Sequence, residues 1–124
     1  MGATRDIALT NIPLRGLSIN PDADENTSIA VVASDSGVMF ITKEGSGCEY
    51  TLPAVALGKG KWFWFFDATG AALLVTAPTA ILMGVDSATG TTLTSGSAIG
   101  DCCLVFGDGT NYFGFVLSGS WTTG

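Results

Sequence analysis

Asp101 and Asp108 flank two adjacent thiols, Cys102 and Cys103, in the stretch GDCCLVFGDGTNYFGFVLSGSW that runs from Gly100 to Trp121. Carboxylates, thiols and a glycine-rich loop at this spacing point to three chemistries: a metal centre, a redox pair, or two acids sharing proton transfer. Adjacent residues of a strand project to opposite faces, so Cys102 and Cys103 do not chelate one ion together. The chain has no histidine and one further cysteine, Cys48. A zinc site would need all three thiols plus a carboxylate, at spacings unlike the usual paired knuckles. An odd number of cysteines also argues against a closed disulfide framework. The three thiols therefore read as small buried hydrophobes, and neither a metal nor a cofactor is expected.

The carboxylates fare no better as catalysts. Glycoside hydrolysis needs two acids at a defined separation, and Asp67, Asp86, Asp101 and Asp108 are the available set. Asp67, Asp86 and Asp108 each sit beside Gly, Ala, Ser or Thr, where aspartate is favoured for its bonds to turn backbone. Without histidine there is no Ser-His-Asp or Cys-His arrangement. FGDGTNYF lacks the acidic spacing of an EF-hand loop. GKGKW is not a phosphate loop, because no Ser or Thr follows its lysines. The expectation is a protein that is not an enzyme.

Composition points to the elements that carry these residues. In 124 residues, 47% are hydrophobic, 13% are charged and 17 are glycine. The charged share is about half the usual ~25%, which implies a surface partly covered by an assembly. One domain of this length hides roughly two thirds of its unfolded surface. The net charge is −6, and all five basic residues (Arg5, Arg15, Lys43, Lys59, Lys61) fall in the first half. Phosphate neutralisation needs Lys and Arg, so nucleic acid is excluded as a partner and anionic membranes are disfavoured. Arg5 and Asp6 stand where a secretory signal would need apolar residues, and Asp6 replaces the Ser or Thr of a myristoylation motif. The longest apolar tract, Ala71 to Val85, is too short for a bilayer and holds Pro78. A soluble chain made in a reducing cytoplasm is expected.

Residues 1–27 read as an extended N-terminal arm, with Pro13 and Pro21, an acidic cluster at Asp22, Asp24 and Glu25, and no helical period. Short extended pieces are expected at Ile7–Leu9 and Gly16–Ile19. Residues 28–124 read as the body, strand after strand at roughly 8–12 residue spacing, the pattern of an all-β sandwich or barrel. A hairpin is expected where DS joins SIAVVAS to GVMFITK. KWFWFFD (Lys61 to Asp67) is the clearest strand. Its alternation sets Trp62, Trp64 and Phe66 on one face and Phe63 and Phe65 on the other. Both faces are aromatic, so both need covering, and one face must meet something outside the sandwich.

Three segments in this order, YTLPAVALGKGKWFWFFDATG, LLVTAPTAILMG and TTLTSGSAIGDCCLVFGDGTNYFGFVLSGSW, resemble a module of tailed-bacteriophage virion proteins over about residues 28 to 122. Its ending is carried here by Ile99, Gly100, Asp101, Asp108, Gly109, Thr110, Asn111, Tyr112, Ser118, Gly119 and Trp121, with Tyr112 in place of the more usual Trp. The resemblance implies an antiparallel β-sandwich or barrel-like domain (tulip or jelly-roll-like) that assembles as a homotrimer. Such modules occur in head decoration (cement) proteins, head fibres and tail fibres. A single module with a short arm and no shaft suits decoration: a trimer on the capsid surface, synthesised in the host bacterial cytoplasm, whose partner is the major capsid protein. On that reading Ile7, Leu9, Ile12 and Leu14 anchor the arm to the capsid, and Trp62, Trp64 and Phe66 pack between subunits. The alternative is a head-fibre or tail-fibre module that holds host glycans on Trp121, Tyr112 or Trp62. An enzyme acting on cell-wall polysaccharide through Asp101 and Asp108 ranks last.

Overall fold

A computed structural model of the chain describes residues 14–20, 27–78, 82–83 and 89–124. The described residues form an all-β, two-sheet sandwich. The larger sheet orders its strands as β1 (Gly16–Asn20), β3 (Val38–Thr42), β5 (Trp62–Asp67), β10 (Cys102–Gly107), β11 (Tyr112–Ser118), β7 (Leu82–Met83) and β8 (Thr89–Gly90). The smaller orders β12 (Trp121–Thr123), β9 (Thr92–Ser95), β6 (Leu73–Thr76), β4 (Cys48–Thr51) and β2 (Ser28–Ala30).

The pairing is mixed rather than antiparallel throughout. β1, β3 and β5 run parallel in one sheet, and β2, β4 and β6 run parallel in the other. Parallel neighbours need a crossover, and each crossover here is a strand of the opposite sheet. The first half of the chain thus winds as three flat coils, each giving one strand to each layer. β10 and β11 then pair antiparallel as a hairpin, and β9 joins the smaller sheet antiparallel to β6 and β12. β8 and β9 fall in the polar run 86–100, where the strand signal is weak.

The hairpin expected around DS does not form. After β2 the chain turns through a 3-10 turn, Ala33–Asp35, and β3 enters the other sheet. Asp35 Oδ2 accepts the Val32 N–H at 3.0 Å, and Gly37 N–H reaches Trp62 O at 2.7 Å, which fixes the start of β3 beside β5. DS lacks the residues that a two-residue hairpin needs at positive φ, and Val31 has a better place in the core. Its N–H bonds Thr51 O at 2.8 Å, one coil on Leu52 N–H bonds Thr76 O at 2.8 Å, and both side chains are buried. Residues 16–20, placed in the arm by sequence, form the edge strand β1.

The core lies between the layers. From the larger sheet come Phe40, Phe63, Phe65, Cys103, Val105 and Tyr112; from the smaller come Tyr50, Leu73, Val75, Leu93 and Trp121. Phe65 stacks on Phe40 with centroids 5.6 Å apart, and Tyr50 tilts against both at 5.3 and 5.4 Å. These three rings tie the two sheets together. The opposite face of β5, with Trp62, Trp64 and Phe66, therefore points out of the sandwich.

Candidate functional site

The residues that open the question of chemistry separate in space. Asp101 precedes β10 and Asp108 follows it, so six strand residues, about 20 Å of rise, stand between them. That exceeds the ~5–9.5 Å at which two carboxylates share glycoside hydrolysis. Asp108 is at the exposed tip of the β10–β11 hairpin, where its Oδ1 accepts the Thr110 and Asn111 N–H groups at 2.8 and 2.7 Å. Those donors hold its carboxyl below the ordinary aspartate value, and its role is that of a turn residue.

Asp67 and Asp101 sit at the other end of the sandwich, both buried. Asp67 Oδ1 accepts the N–H groups of Thr69 and Gly70, each at 3.0 Å, and its Oδ2 accepts Ser95 Oγ at 3.2 Å. Ser95 Oγ in turn accepts the Leu73 N–H at 3.0 Å. Asp101 Oδ2 accepts the Ala98 N–H at 3.3 Å. These carboxylates tie loops 67–73 and 95–101 to the strand ends, with their acceptors turned to protein donors rather than to solvent. Asp86 lies outside the described residues.

The thiols follow the alternation. Cys103 lies in the core and Cys102 on the opposite face, and all three cysteines are free and buried. Burial pushes the Cys48, Cys102 and Cys103 thiols up, Cys103 the furthest, which makes them poor nucleophiles. Among the described residues no group of three or more His, Cys, Asp or Glu is placed to hold a metal ion, and no helix is long and apolar enough to cross a membrane.

Tyr112 has a structural task. Its hydroxyl donates to Pro53 O at 2.7 Å from a fully buried ring, and burial pushes its pKa from 10.0 up to about 12. Above pH 10 the unfolded chain ionises this tyrosine while the folded chain keeps the proton. The stability present below pH 10 is therefore lost as the pH rises towards 12. Alkaline titration followed by circular dichroism should show unfolding in that window, and Tyr112→Phe should make it shallower; an unchanged profile in Tyr112→Phe would contradict this.

What remains is the outer face of the larger sheet. Register places Leu17, Met39, Trp64, Leu104 and Phe115 in one row across five strands. A second row holds Ile19, Ile41, Phe66 and Cys102, and a third joins Trp62, Phe106 and Phe113, the last two stacked at 5.5 Å. A register shift between Cys102 and Cys103 leaves Leu117 as an added apolar residue at the end of β11. None of these outward positions is charged, and the one polar residue is Ser118, which pairs with Cys102 at the end of the second row. No strand of the smaller sheet lies over this face, since that sheet covers the other one.

Of the residues expected to pack between subunits, Trp62 and Phe66 are half-buried on this face, whereas Trp64 is only 4% exposed and forms its floor. Leu14, expected in the arm, is exposed just before β1; Ile7, Leu9 and Ile12 lie outside the described residues. Of the aromatics assigned to glycan stacking, Tyr112 and Trp121 are withdrawn from solvent, while Trp62 is half-buried on the outer face. Tyr112 is fully buried, and Trp121 is buried with its Nε1–H donated to Ser118 O at 3.1 Å. Sequence reasoning missed Leu17, Ile19, Met39, Ile41, Phe115 and Leu117. The signal was present as strands apolar at both parities. Compared with family models, curated proteins and solved structures, the chain matches none.

Proposed function

We propose that the chain is a non-enzymatic building block of a bacteriophage virion, a capsid decoration protein that assembles as a homotrimer and stabilises the shell it binds. One observation carries the reading: across five of the larger sheet's seven strands the outer face is apolar except at Ser118 and carries no charge. Soluble monomers seldom show an apolar patch beyond ~300–600 Å², and a face of this kind is a contact surface. The resemblance of residues 28–122 to virion modules supplies the setting. Asp67, Asp101 and Asp108 accept bonds from the backbone of their own loops, and all three thiols are buried, Cys102 beneath the outer face. The mechanism is mass action: a protein that binds the assembled shell but not its dissociated subunits shifts the equilibrium towards the shell.

Residues 1–13 are assigned to the shell and residues 14–124 to the body, because β1 belongs to the sheet. A chain of residues 14–124 should keep its β-sheet circular dichroism and its oligomeric mass, yet lose at least tenfold in co-sedimentation with purified shells. Undiminished binding by this truncated chain would remove the arm from the account. Deleting residues 1–20 is a poorer experiment, since it strips β1 from β3.

A further inference from the structure

Among the described residues the two sheets end in four edge strands, β1 and β8 in the larger, β2 and β12 in the smaller. Three of them are very short: β8 has two residues, and β2 and β12 have three each. β1 has five. Sheet edges are ordinarily guarded by brevity, charge, proline or a bulge. β1 reads GLSIN, with no charge, no proline and an unbroken register against β3. Its Leu17 and Ile19 side chains stand 57% and 58% exposed.

The backbone of β1 is aimed as well as open. Lys43 N–H bonds Asn20 O at 2.9 Å, so Asn20 turns its polar groups towards β3. Successive residues of a paired strand turn theirs to alternate sides. Ser18 therefore also faces β3, while Leu17 and Ile19 aim N–H and C=O away from the sheet. Among the described residues no strand lies beyond β1 to meet them. At the head of the strand Arg15 is held by its N–H to Gly37 O and by its Nη2 to Ser34 O, each at 2.6 Å. A guanidinium has five N–H donors, so one such side-chain bond leaves Arg15 able to grip a carboxylate.

We propose that the free edge of β1 accepts one more strand, supplied by an extended acidic segment of another protein. In strand addition, main-chain bonds give affinity and alternate side chains give specificity. Here the main-chain bonds go to Leu17 and Ile19. The incoming outward side chains are apolar, because they continue the rows that begin at those two residues. The charge of the partner follows from the head of the strand. Arg15 precedes β1 and Lys61 precedes β5, whose strands start together with β3, and Lys59 bridges to Gly107 at the same end. Asp35 and Asp108, the acids there, accept N–H groups of their own turns. Acidic residues of the partner strand therefore lie at the end that reaches Arg15. A second copy is the wrong partner, since pairing β1 with β1 joins two chains of −6 each, and like charges repel. The inference goes beyond the shell reading and does not depend on it.

The test is amide hydrogen exchange of the full-length chain, read residue by residue by NMR. The probe is a synthetic peptide of alternating valine and threonine that ends in two glutamates at its C-terminus, the end that meets Arg15 when the peptide pairs antiparallel. In the free chain the Leu17 and Ile19 amides should exchange at least tenfold faster than that of Ser18. The peptide should slow both at least tenfold and leave Ser18 unchanged. A peptide ending in two lysines should bind at least tenfold more weakly. Arg15→Glu should reverse that preference with the fold intact, since the side chain is exposed. Leu17 and Ile19 amides already protected in the free chain would overturn the proposal, because residues 1–13 or a second copy then holds the edge. So would a glutamate peptide that leaves both amides unprotected, or a lysine peptide that protects them equally. No shell enters this measurement, so its failure and that of the shell reading are separate results.

Discussion

Replacing Phe65 by alanine is expected to lower the unfolding free energy by about 4 kcal/mol, read from urea denaturation followed by tryptophan fluorescence. Phe65 is fully buried at the centre of β5, where it meets Phe40 from its own sheet and Tyr50 from the opposite one. Truncation removes the transfer energy of the ring and leaves a cavity that paired strands on both sides keep from collapsing. It also removes two ring contacts, each worth roughly 0.5–1.5 kcal/mol beyond burial. Domains of this kind hold on the order of 5–15 kcal/mol in total, so the loss is a large fraction of stability. Phe66→Ala, one residue on and half-buried on the outer face, should cost the monomer ~1 kcal/mol or less and act mainly on association. A Phe65→Ala loss below 1 kcal/mol would mean that the three-ring cluster does not join the sheets.

Gly119→Ala is expected to cost about 3 kcal/mol through two separate causes. Gly119 has φ +87°, a conformation that costs a residue with a Cβ ~1–3 kcal/mol. A Cβ placed there overlaps the Asp101 carboxylate, which must move and release the Ala98 N–H it accepts. Losing a partly buried bond to a charged acceptor costs ~1–3 kcal/mol. Gly60 is the control, with φ +71° and no atom within 4 Å of an added Cβ. Gly60→Ala should therefore show the backbone cost alone, ~1–2 kcal/mol. Equal losses at the two positions would show that Asp101 is free to move and is not part of the scaffold.

Local signals were legible and long-range ones were not. The alternation of Trp62–Asp67 placed Phe63 and Phe65 in the core because a strand side chain's face is set by its own backbone. The β10–β11 hairpin was legible because Asp108 and Gly109 build the turn within five residues. The parallel winding was hidden, since periodicity identifies a strand but not its neighbour. SIAVVAS and GVMFITK look like a hairpin and are consecutive coils in different sheets. For a related reason the extended piece at Gly16–Ile19 was legible but its place was not: it read as arm, and it belongs to the larger sheet by pairing with β3. The outer face was half legible. Aromatics at both parities of β5 announced a second contact surface, but its width depended on a register across five strands, and its far end depended on the extra residue that lifts Leu117.

The most direct test of the central claim is the number of copies per particle in purified virions that carry the chain, counted by quantitative mass spectrometry against a capsid-protein standard. A decoration protein covering a shell lattice should be present in hundreds of copies, in a fixed ratio to the major capsid protein and in a multiple of three. A handful of copies, confined to the tail when heads and tails are separated, would contradict the assignment to the shell.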